Sequence, residues 1–311
     1  MTIPWVTVWG FGAEIKSTKD SLLVRQDGKV TRYPFDEVSH LLIAGGHSLN
    51  TAVLERLAER RIPVSFFDVH GKPVGGLYGE GGPRLSAAQR EIPVHKFAMA
   101  TIQDSLGERM RFLNELAESD PSGLFYKGEL DILNAARDEL NFLVTLPEIG
   151  RVFSFTKAMY YEILSRAVPQ TLGYRRRVLP PYLDPVNAMF SHGYAVLYAT
   201  FALACTGAGL DLSRGALYGV VEPVPGGGGA CVLDLMEPAM VPMVDRVIVK
   251  MAAGGALEGR YEAAGRCILS EELKTEFTSR LHEAINPALI EENVQRYAGA
   301  VKNGGDVVLH Y

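Results

Sequence analysis

The chain has 311 residues, of which 47% are hydrophobic and 22% charged, and its formal net charge is −5. This length allows one large domain or two, and the composition is that of an ordinary globular protein, which excludes disordered and collagen-like chains. The negative net charge argues against a surface coated in basic residues, so any contact with nucleic acid must be local.

The ends of the chain and its cysteines indicate where the protein resides. The N-terminus enters strand-like alternation at once, without a Lys- or Arg-led apolar signal, which predicts a cytoplasmic protein. Three cysteines, Cys205, Cys231 and Cys267, are scattered in apolar contexts, and no CxxC pair offers a zinc site. We expect them to be buried free thiols in a reducing compartment.

The first part of the chain predicts a small β domain. Residues 1 to about 80 contain short β-branched or aromatic runs separated by Gly, Asp-Gly and Lys-Asp turn signals. One amphipathic helix interrupts them in SLNTAVLERLAERR, with Ser48 or Asn50 as its cap. Asp68 and His70 fit a polar turn at a strand end better than a binding site.

A change of periodicity follows the glycine-rich residues 79–84. From there the pattern is helical, which predicts an α+β fold: a β domain over 1–80, a hinge over 81–90 and an all-α domain over 91–311. The expected helices cover about 86–118, 128–144, 150–167, 186–206, 238–252, 270–283 and 289–301. The glycines at 226–229 open no helix, so they indicate a flexible loop and not a phosphate cradle. The ending GGDVVLHY could fray or add an edge strand.

The helix over 186–206 is the most apolar stretch. Asp184 is a suitable N-cap and Pro185 suits the first helical position. Its length is that of a membrane span, but Asn187, Ser191 and His192 interrupt it, which favours a helix buried in a helical domain and no membrane contact.

A local basic stretch lies between positions 151 and 187. It holds six cations against two acids, with tyrosines among them. Such a mixture suits phosphate contacts and some stacking on bases, although a solvated helix face followed by a charged loop has the same composition. The cations proposed to bind DNA are Arg166, Arg175, Arg176 and Arg177.

Three acidic residues are candidates for chemistry. Asp234 and Glu237 are spaced i, i+3, which puts both carboxylates on one helical face where a divalent cation could bridge them. Glu162 lies among apolar and aromatic residues, and its periodicity favours the surface unless a cation holds it inward.

These features together resemble one family. In order, they are a Glu on an aromatic helix, an Arg-rich turn, DPVNA, a Gly-Tyr in a long helix, GLD, and LDLMEP followed by VDR. The chain resembles the CRISPR-associated adaptation endonuclease, the integrase that inserts captured DNA fragments into a CRISPR array. The resemblance covers nearly the whole chain.

The resemblance implies a function and a site. It implies that the β domain forms a homodimer, and that the helical domain cleaves and joins DNA with one Mg²⁺ or Mn²⁺ ion. It maps the metal ligands to Glu162, Tyr218 and Glu237, with Asp234 as a neighbouring acid of the catalytic site. The implied partners are double-stranded, branched or spacer-like DNA and the small partner protein of the adaptation complex.

Tyr218 departs from the pattern, because the family has a His at this ligand. Making a phenolate at pH 7 costs roughly 4 kcal/mol, so Tyr is a poor substitute. Glu222 and His192 are possible stand-ins. Two alternatives therefore stay open: a family member with impaired catalysis that acts as a DNA-binding or scaffolding subunit, and a helical protein-interaction module without a nucleic-acid role.

Overall fold

The computed structural model describes residues 5–69, 73–78, 82–119, 123–178, 180–224, 229–263 and 265–311. His70 and most of the glycine run at 226–229 lie outside the described residues. The six-stranded sheet lies within the first 77 residues, and the remainder of the described chain is mostly helical. This confirms the predicted α+β class, while the exact domain limits stay a prediction.

The N-terminal sheet has six strands in the order β3-β2-β1-β4-β5-β6. The central strands β1, β4 and β5 run parallel, and the outer pairs are antiparallel. Helix α1 (Thr51–Glu59), capped by the Asn50 side chain, makes the crossover between β4 and β5. The strands are β1 (Trp5–Ser17), β2 (Ser21–Gln26), β3 (Lys29–Pro34), β4 (His40–Leu49), β5 (Val64–Phe67) and β6 (Pro73–Leu77).

The rest of the described chain contains eight further α-helices and a small hairpin, with short 3-10 helices and loops between them. The helices are α2 (Val94–Ser119), α3 (Glu129–Glu139), α4 (Leu146–Leu164), α5 (Pro185–Gly207), α6 (Ala230–Met236), α7 (Arg246–Ala253), α8 (Glu271–Ala284) and α9 (Pro287–Asn303). A π-helical turn, Val241–Asp245, joins α6 to α7. The hairpin pairs β7 (Tyr261–Ala263) with β8 (Cys267–Leu269), so the prediction of an all-α second half was wrong at this point. Strands of three residues are too short to establish a period of two.

One face of the N-terminal sheet belongs to the hydrophobic core of the helical part, and the other face forms a separate cluster. Trp5, Leu42, Ala44 and Phe67 of the sheet pack into the core formed by the helices, while α1 covers the other face. At the end of α5, a Cβ on Gly207 would lie 2.5 Å from the Trp5 ring, so only glycine permits this approach.

Hydrogen bonds hold the segment predicted as a hinge. The backbone N–H of Leu85 donates to Gly209 at 2.8 Å. The Ser86 hydroxyl donates to the Asp211 carboxylate at 2.8 Å, and the Gln89 side-chain oxygen accepts from the Asp211 backbone at 2.7 Å. The described part of this connection is therefore docked against the loop after α5.

Helix α5 lies in the core. It is the one helix among the described residues that is long and apolar enough to cross a membrane, and it packs against α6, α9 and β4. Cys205 on α5 and Cys231 on α6 are buried free thiols, as predicted, whereas Cys267 is partly exposed.

The C-terminal residues are docked and form neither a frayed end nor an edge strand. The Leu309 backbone donates to Asp104 at 3.2 Å, and the Tyr311 hydroxyl donates to the Leu235 carbonyl at 3.2 Å.

Candidate functional site

Glu237 is the most enclosed acid of the candidate site. It directly follows α6, and its side chain is 0% exposed. Three groups from three separate elements reach it: Arg109 from α2, Lys157 from α4, and Tyr218 from the loop between α5 and α6. We call these four residues the acidic centre.

Both carboxylate oxygens of Glu237 are bonded to protein groups. The Arg109 guanidinium donates to Oε1, and the Lys157 ammonium donates to Oε2 at 3.1 Å. The Tyr218 hydroxyl donates to the same Oε2. Burial alone would raise the pKa of Glu237, but the charges of Lys157 and Arg109 and the hydrogen bonds outweigh it and lower the pKa to about 2. Glu237 is therefore an anion at neutral pH, and the protein itself balances its charge.

Arg109 is a buried cation with fixed surroundings. Its side chain is 2% exposed, it donates to the Ser105 hydroxyl at 2.6 Å, and its guanidinium lies 5.7 Å from the Phe153 ring centroid and 5.4 Å from that of Tyr160. Burial lowers the pKa of Arg109, but the adjacent Glu237 outweighs this and raises it. Arg109 is thus charged at every accessible pH.

Lys157 and Tyr218 close the other side of the carboxylate. The Lys157 ammonium donates to the Tyr218 oxygen at 2.6 Å, and 26% of the Lys157 side chain is exposed. Burial lowers the pKa of Lys157, opposed by Glu237. Burial followed by the Glu237 charge raises the pKa of Tyr218 well above its ordinary value, so the phenol stays neutral and donates its proton to Glu237.

Asp234 holds the loop that carries Tyr218. Its carboxylate accepts hydrogen bonds from three consecutive backbone N–H groups, those of Ala216, Leu217 at 3.1 Å and Tyr218 at 2.8 Å. Burial raises the pKa of Asp234 to about 7, although the three N–H groups oppose this shift. Both oxygens are occupied by backbone, which makes Asp234 a support for the loop.

Glu162 is not brought to this site. The face of α4 that meets Glu237 and its neighbours carries Phe153, Lys157 and Tyr160, and Glu162 lies on the exposed side. Five residues of α-helix turn the direction by roughly 140° between Lys157 and Glu162, which explains the separation. The exposed position is the one that the periodicity of α4 predicted, and the mapping of Glu162 to a metal ligand stays a prediction.

The residues present do not fit a divalent metal. Among the described residues, no group of three or more His, Cys, Asp or Glu side chains could hold an ion. The one buried carboxylate of the acidic centre already has two cations beside it. A divalent ion roughly 4 Å from the Lys157 ammonium would meet a repulsion on the order of 8 kcal/mol.

The two possible stand-ins have other partners. Glu222 accepts from the Ser154 hydroxyl on α4. His192 bonds to the Thr278 hydroxyl at 3.2 Å and packs on the Phe277 ring. Within the described part of the chain, neither forms a hydrogen bond or an ion pair with Glu237.

The four arginines proposed to bind DNA divide into two pairs. Arg166 donates to Glu129 and lies 4.1 Å from the Tyr126 ring centroid, and Arg177 donates to Asn187 at 3.0 Å. Both therefore have internal partners.

Arg175 and Arg176 are exposed and have no carboxylate partner within the described ranges. With Arg177 they form the arginine turn, residues 175–177. Of the four arginines proposed to bind DNA, two therefore carry an exposed charge without a carboxylate partner in the described chain.

Sequence reasoning missed the two cations of the acidic centre. The burial of Arg109 could have been predicted in part. Arg109 lies on the apolar stripe of α2, together with the buried residues Ile102, Leu106 and Leu113. A charged residue at such a position is rarely buried unless it is paired. Its partner lies 128 residues away in the sequence, so the pair itself had no local signal.

Comparison with known proteins identifies the family. A family model described as "CRISPR associated protein Cas1" matches residues 6–283. A protein of Methanospirillum hungatei named "Putative CRISPR-associated endonuclease Cas1 2" is 32% identical over 294 residues, which cover 92% of this chain and 93% of that protein.

Two solved structures have a similar fold. "Casposase bound to integration product" superposes with a TM-score of 0.79 at 17% identity, covering 99% of both chains. "Partial Cas6-RT-Cas1--Cas2 complex" superposes with a TM-score of 0.73 at 18% identity, covering 98% of both chains. On the match of the family model and of the M. hungatei relative, the chain belongs to the CRISPR-associated protein Cas1 family.

Proposed function

We propose that this protein serves CRISPR adaptation as a DNA-binding, assembly-forming Cas1-family subunit whose acidic centre is structural and does not cleave DNA with a metal ion. The observation that carries this proposal is the occupation of both Glu237 oxygens by Arg109, Lys157 and Tyr218. A carboxylate with two protein cations gains little from a further cation and loses its existing bonds.

The arginine turn supports the DNA-binding part of the proposal. Arg175 and Arg176 are exposed cations without a described carboxylate partner, in a chain of net charge −5. Localised positive charge on an acidic protein directs a phosphate backbone to one place. In this role the two side chains bind non-bridging phosphate oxygens and position a double-stranded or branched DNA.

The titles of two similar structures support the proposed partners. One similar structure is titled as a complex with Cas2 and another as bound to an integration product. We propose by analogy that this subunit works in the cytoplasm, that it forms a homodimer through its β domain, and that it joins a small partner protein on DNA.

A second candidate is a Mg²⁺- or Mn²⁺-dependent endonuclease and integrase. It is favoured by the name of the M. hungatei relative, which is called an endonuclease. The two candidates differ in one property: the nuclease requires Glu237 to exchange its protein cations for a metal.

DNA binding is tested by fluorescence anisotropy on a branched DNA over a series of salt concentrations. We expect Arg175→Gln/Arg176→Gln to weaken binding and to reduce the salt slope by about two, because each lost phosphate contact reduces it by about one. The matched control is Arg280→Gln/Arg296→Gln, which removes the same charge from arginines paired with Glu276 and Glu292. Equal affinities for both double variants, or no salt-dependent binding by the wild type, would favour the protein-interaction module.

Catalysis is tested on the same branched DNA with Mg²⁺ or Mn²⁺. We expect no metal-dependent cleavage or strand joining above that of Glu237→Gln. Products that the wild type forms and the folded variant does not would establish the second candidate.

A further inference from the structure

A cavity of about 700 Å³ lies between the start of α5, the β7–β8 hairpin and α8, and we call it the hairpin cavity. The described residues that line it include none of the acidic centre and none of the arginine turn. A cavity of this volume is large enough for one small organic molecule. The hairpin cavity is therefore a candidate ligand site separate from both regions already described.

Hydrogen bonds fix the walls of the hairpin cavity. The backbone N–H of Cys267 on β8 donates to the Tyr182 carbonyl at 2.7 Å, which joins the segment before α5 to the hairpin. His192 on α5 bonds to the Thr278 hydroxyl on α8 at 3.2 Å. Because all three elements are tied together, the cavity is formed by the fold before any ligand arrives.

Two cations line the hairpin cavity. Arg266 is exposed and has no hydrogen-bond or ion-pair partner among the described residues. Lys274 on α8 pairs with Glu271 at 2.6 Å, but the Glu271 side chain is 83% exposed. An ion pair as exposed as this one contributes little, so Lys274 can exchange it for a ligand. Of the described lining residues, none is an Asp or a Glu, so the cavity attracts an anion in a chain of net charge −5.

The other polar side chains of the lining are uncharged at neutral pH. Burial, followed by the Lys274 charge, lowers the pKa of His192. Burial, followed by the charge of Asp184, raises the pKa of the Cys267 thiol to about 11. Asp184 is itself buried and accepts from the backbone N–H and the side-chain amide of Asn187 at 2.7 and 2.8 Å. The charge that meets a ligand in the cavity therefore comes from the two cations.

The remainder of the lining is apolar or aromatic. Ile268 is a large hydrophobic side chain with 44% of its surface exposed, and Tyr182 offers a flat ring. Such a ring stacks on the face of a nucleobase in a way that tolerates any base. The residues of this part of the lining are Pro180, Pro181, Tyr182, Ala188, Ile268 and Leu269.

We propose that the hairpin cavity binds a phosphate monoester on a flat apolar body, with Arg266 and Lys274 on the phosphate and Tyr182 and Ile268 on the body. A phosphate monoester carries nearly two negative charges at neutral pH, which matches the two cations. A nucleoside monophosphate has both parts. The same chemistry belongs to a free nucleotide and to the 5′-phosphorylated end of a DNA strand. The site goes beyond the proposed function, because phosphate contacts at the arginine turn do not require it.

Isothermal titration calorimetry with deoxyadenosine monophosphate, in the absence of DNA, tests the charged part of the site. We expect one molecule to bind per chain, and Arg266→Gln/Lys274→Gln to weaken binding by at least about tenfold, because two charge-assisted hydrogen bonds are lost. The matched control is Arg280→Gln/Arg296→Gln, which removes the same charge from paired arginines of α8 and α9 and should keep the wild-type affinity. Both pairs are at the surface, so both variants are expected to fold.

Ile268→Ser tests the apolar part of the site. We expect it to weaken binding of deoxyadenosine monophosphate by about fivefold, because the ligand then covers less apolar surface. Binding of inorganic phosphate, which has no apolar body, should stay unchanged. An equal loss for both probes would contradict a contact between Ile268 and the body of the ligand.

Competition separates the two sources of the ligand. A short single-stranded oligonucleotide with a 5′ phosphate displaces the mononucleotide if the site takes a strand end, and the same strand without the phosphate does not. If neither strand displaces it, the ligand is a free nucleotide. Equal displacement by both strands would overturn recognition of a phosphate monoester.

Two results would overturn the inference as a whole. They are the absence of saturable mononucleotide binding below about 1 mM, and equal affinities of the wild type and Arg266→Gln/Lys274→Gln. The DNA-binding test of the arginine turn uses other residues and another ligand, so the failure of one proposal is distinguishable from the failure of the other.

Discussion

The acidic centre and the arginine turn use the same kinds of residue in opposite ways. In the acidic centre every charge has a partner, and Glu237 is enclosed by Arg109, Lys157 and Tyr218. In the arginine turn, Arg175 and Arg176 face solvent without a described carboxylate. The comparison shows that a charged side chain is available to a ligand where the fold gives it no partner of opposite charge. A high local concentration of charged residues is not enough.

The largest expected effect comes from breaking the buried pair. Arg109→Met removes the donor to Glu237 Oε1 and leaves Lys157 as its one cation, and we expect a loss of about 3–5 kcal/mol in the free energy of unfolding, because removing one partner of a buried ion pair is strongly destabilising. Urea denaturation at neutral pH measures it.

The double variant Arg109→Met/Glu237→Gln is the control for this pair. Since both charges are removed, we expect it to lose less than the sum of the two single variants. Additive losses would mean that the two side chains are not coupled.

The next prediction concerns two buried acids, Asp245 and Glu237, whose hydrogen-bond partners differ. The Asp245 carboxylate accepts from the Tyr160 hydroxyl at 2.7 Å and the Tyr194 hydroxyl at 2.6 Å, and no Arg or Lys lies within ion-pair distance of it in the described chain. Burial raises the pKa of Asp245 to about 6, whereas the pKa of Glu237 is lowered to about 2. The hydroxyl partners of Asp245 thus offset the effect of burial on its pKa only in part, whereas the cationic partners of Glu237 reverse it.

Stability should therefore depend on pH through Asp245. A folded-state pKa above the unfolded value means that the native state binds the extra proton, so this stabilisation is complete below about pH 4 and is lost as the pH rises through about 6. Over this window we expect the unfolding free energy of the wild type to fall by on the order of 3 kcal/mol relative to Asp245→Asn. Urea denaturation of both proteins across the window measures the difference, and parallel pH profiles would contradict the assignment.

Helix starts could be predicted from the sequence, whereas the order of the strands could not. The caps Asn50 and Asp184 placed two helices correctly, because capping is local chemistry. The parallel β1–β4–β5 arrangement had no such signal, since it depends on which strands meet after a crossover.

The same distinction applies to the site. Glu237 and Tyr218 were singled out from the sequence and do meet in the fold. Lys157, which completes the site, lies 80 residues from Glu237, and nothing within α4 distinguishes it from a solvated lysine. The helix period correctly favoured the surface for Glu162, whereas its role as a metal ligand came from the family resemblance and stays a prediction.

A smaller effect distinguishes neighbours within the arginine turn. Arg177→Leu removes hydrogen bonds to Asn187 at 3.0 Å and to Ser191 at 2.7 Å, and we expect it to cost about 1–2 kcal/mol of stability. Thermal unfolding measures the loss. A stability equal to that of the wild type would mean that these bonds are replaced by water without cost.

Arg176→Leu gives the smallest expected change in stability, because an exposed side chain without a described partner contributes within about 0.5 kcal/mol. Its effect should appear in DNA binding instead, as a salt slope reduced by about one at unchanged thermal stability. Anisotropy titrations of Arg176→Leu and Arg177→Leu on one branched DNA test this. A larger loss of stability in Arg176→Leu than in Arg177→Leu would reverse the division of the turn into a structural and an available arginine. The proposal that unpaired charge marks the DNA-binding surface would then lose its basis.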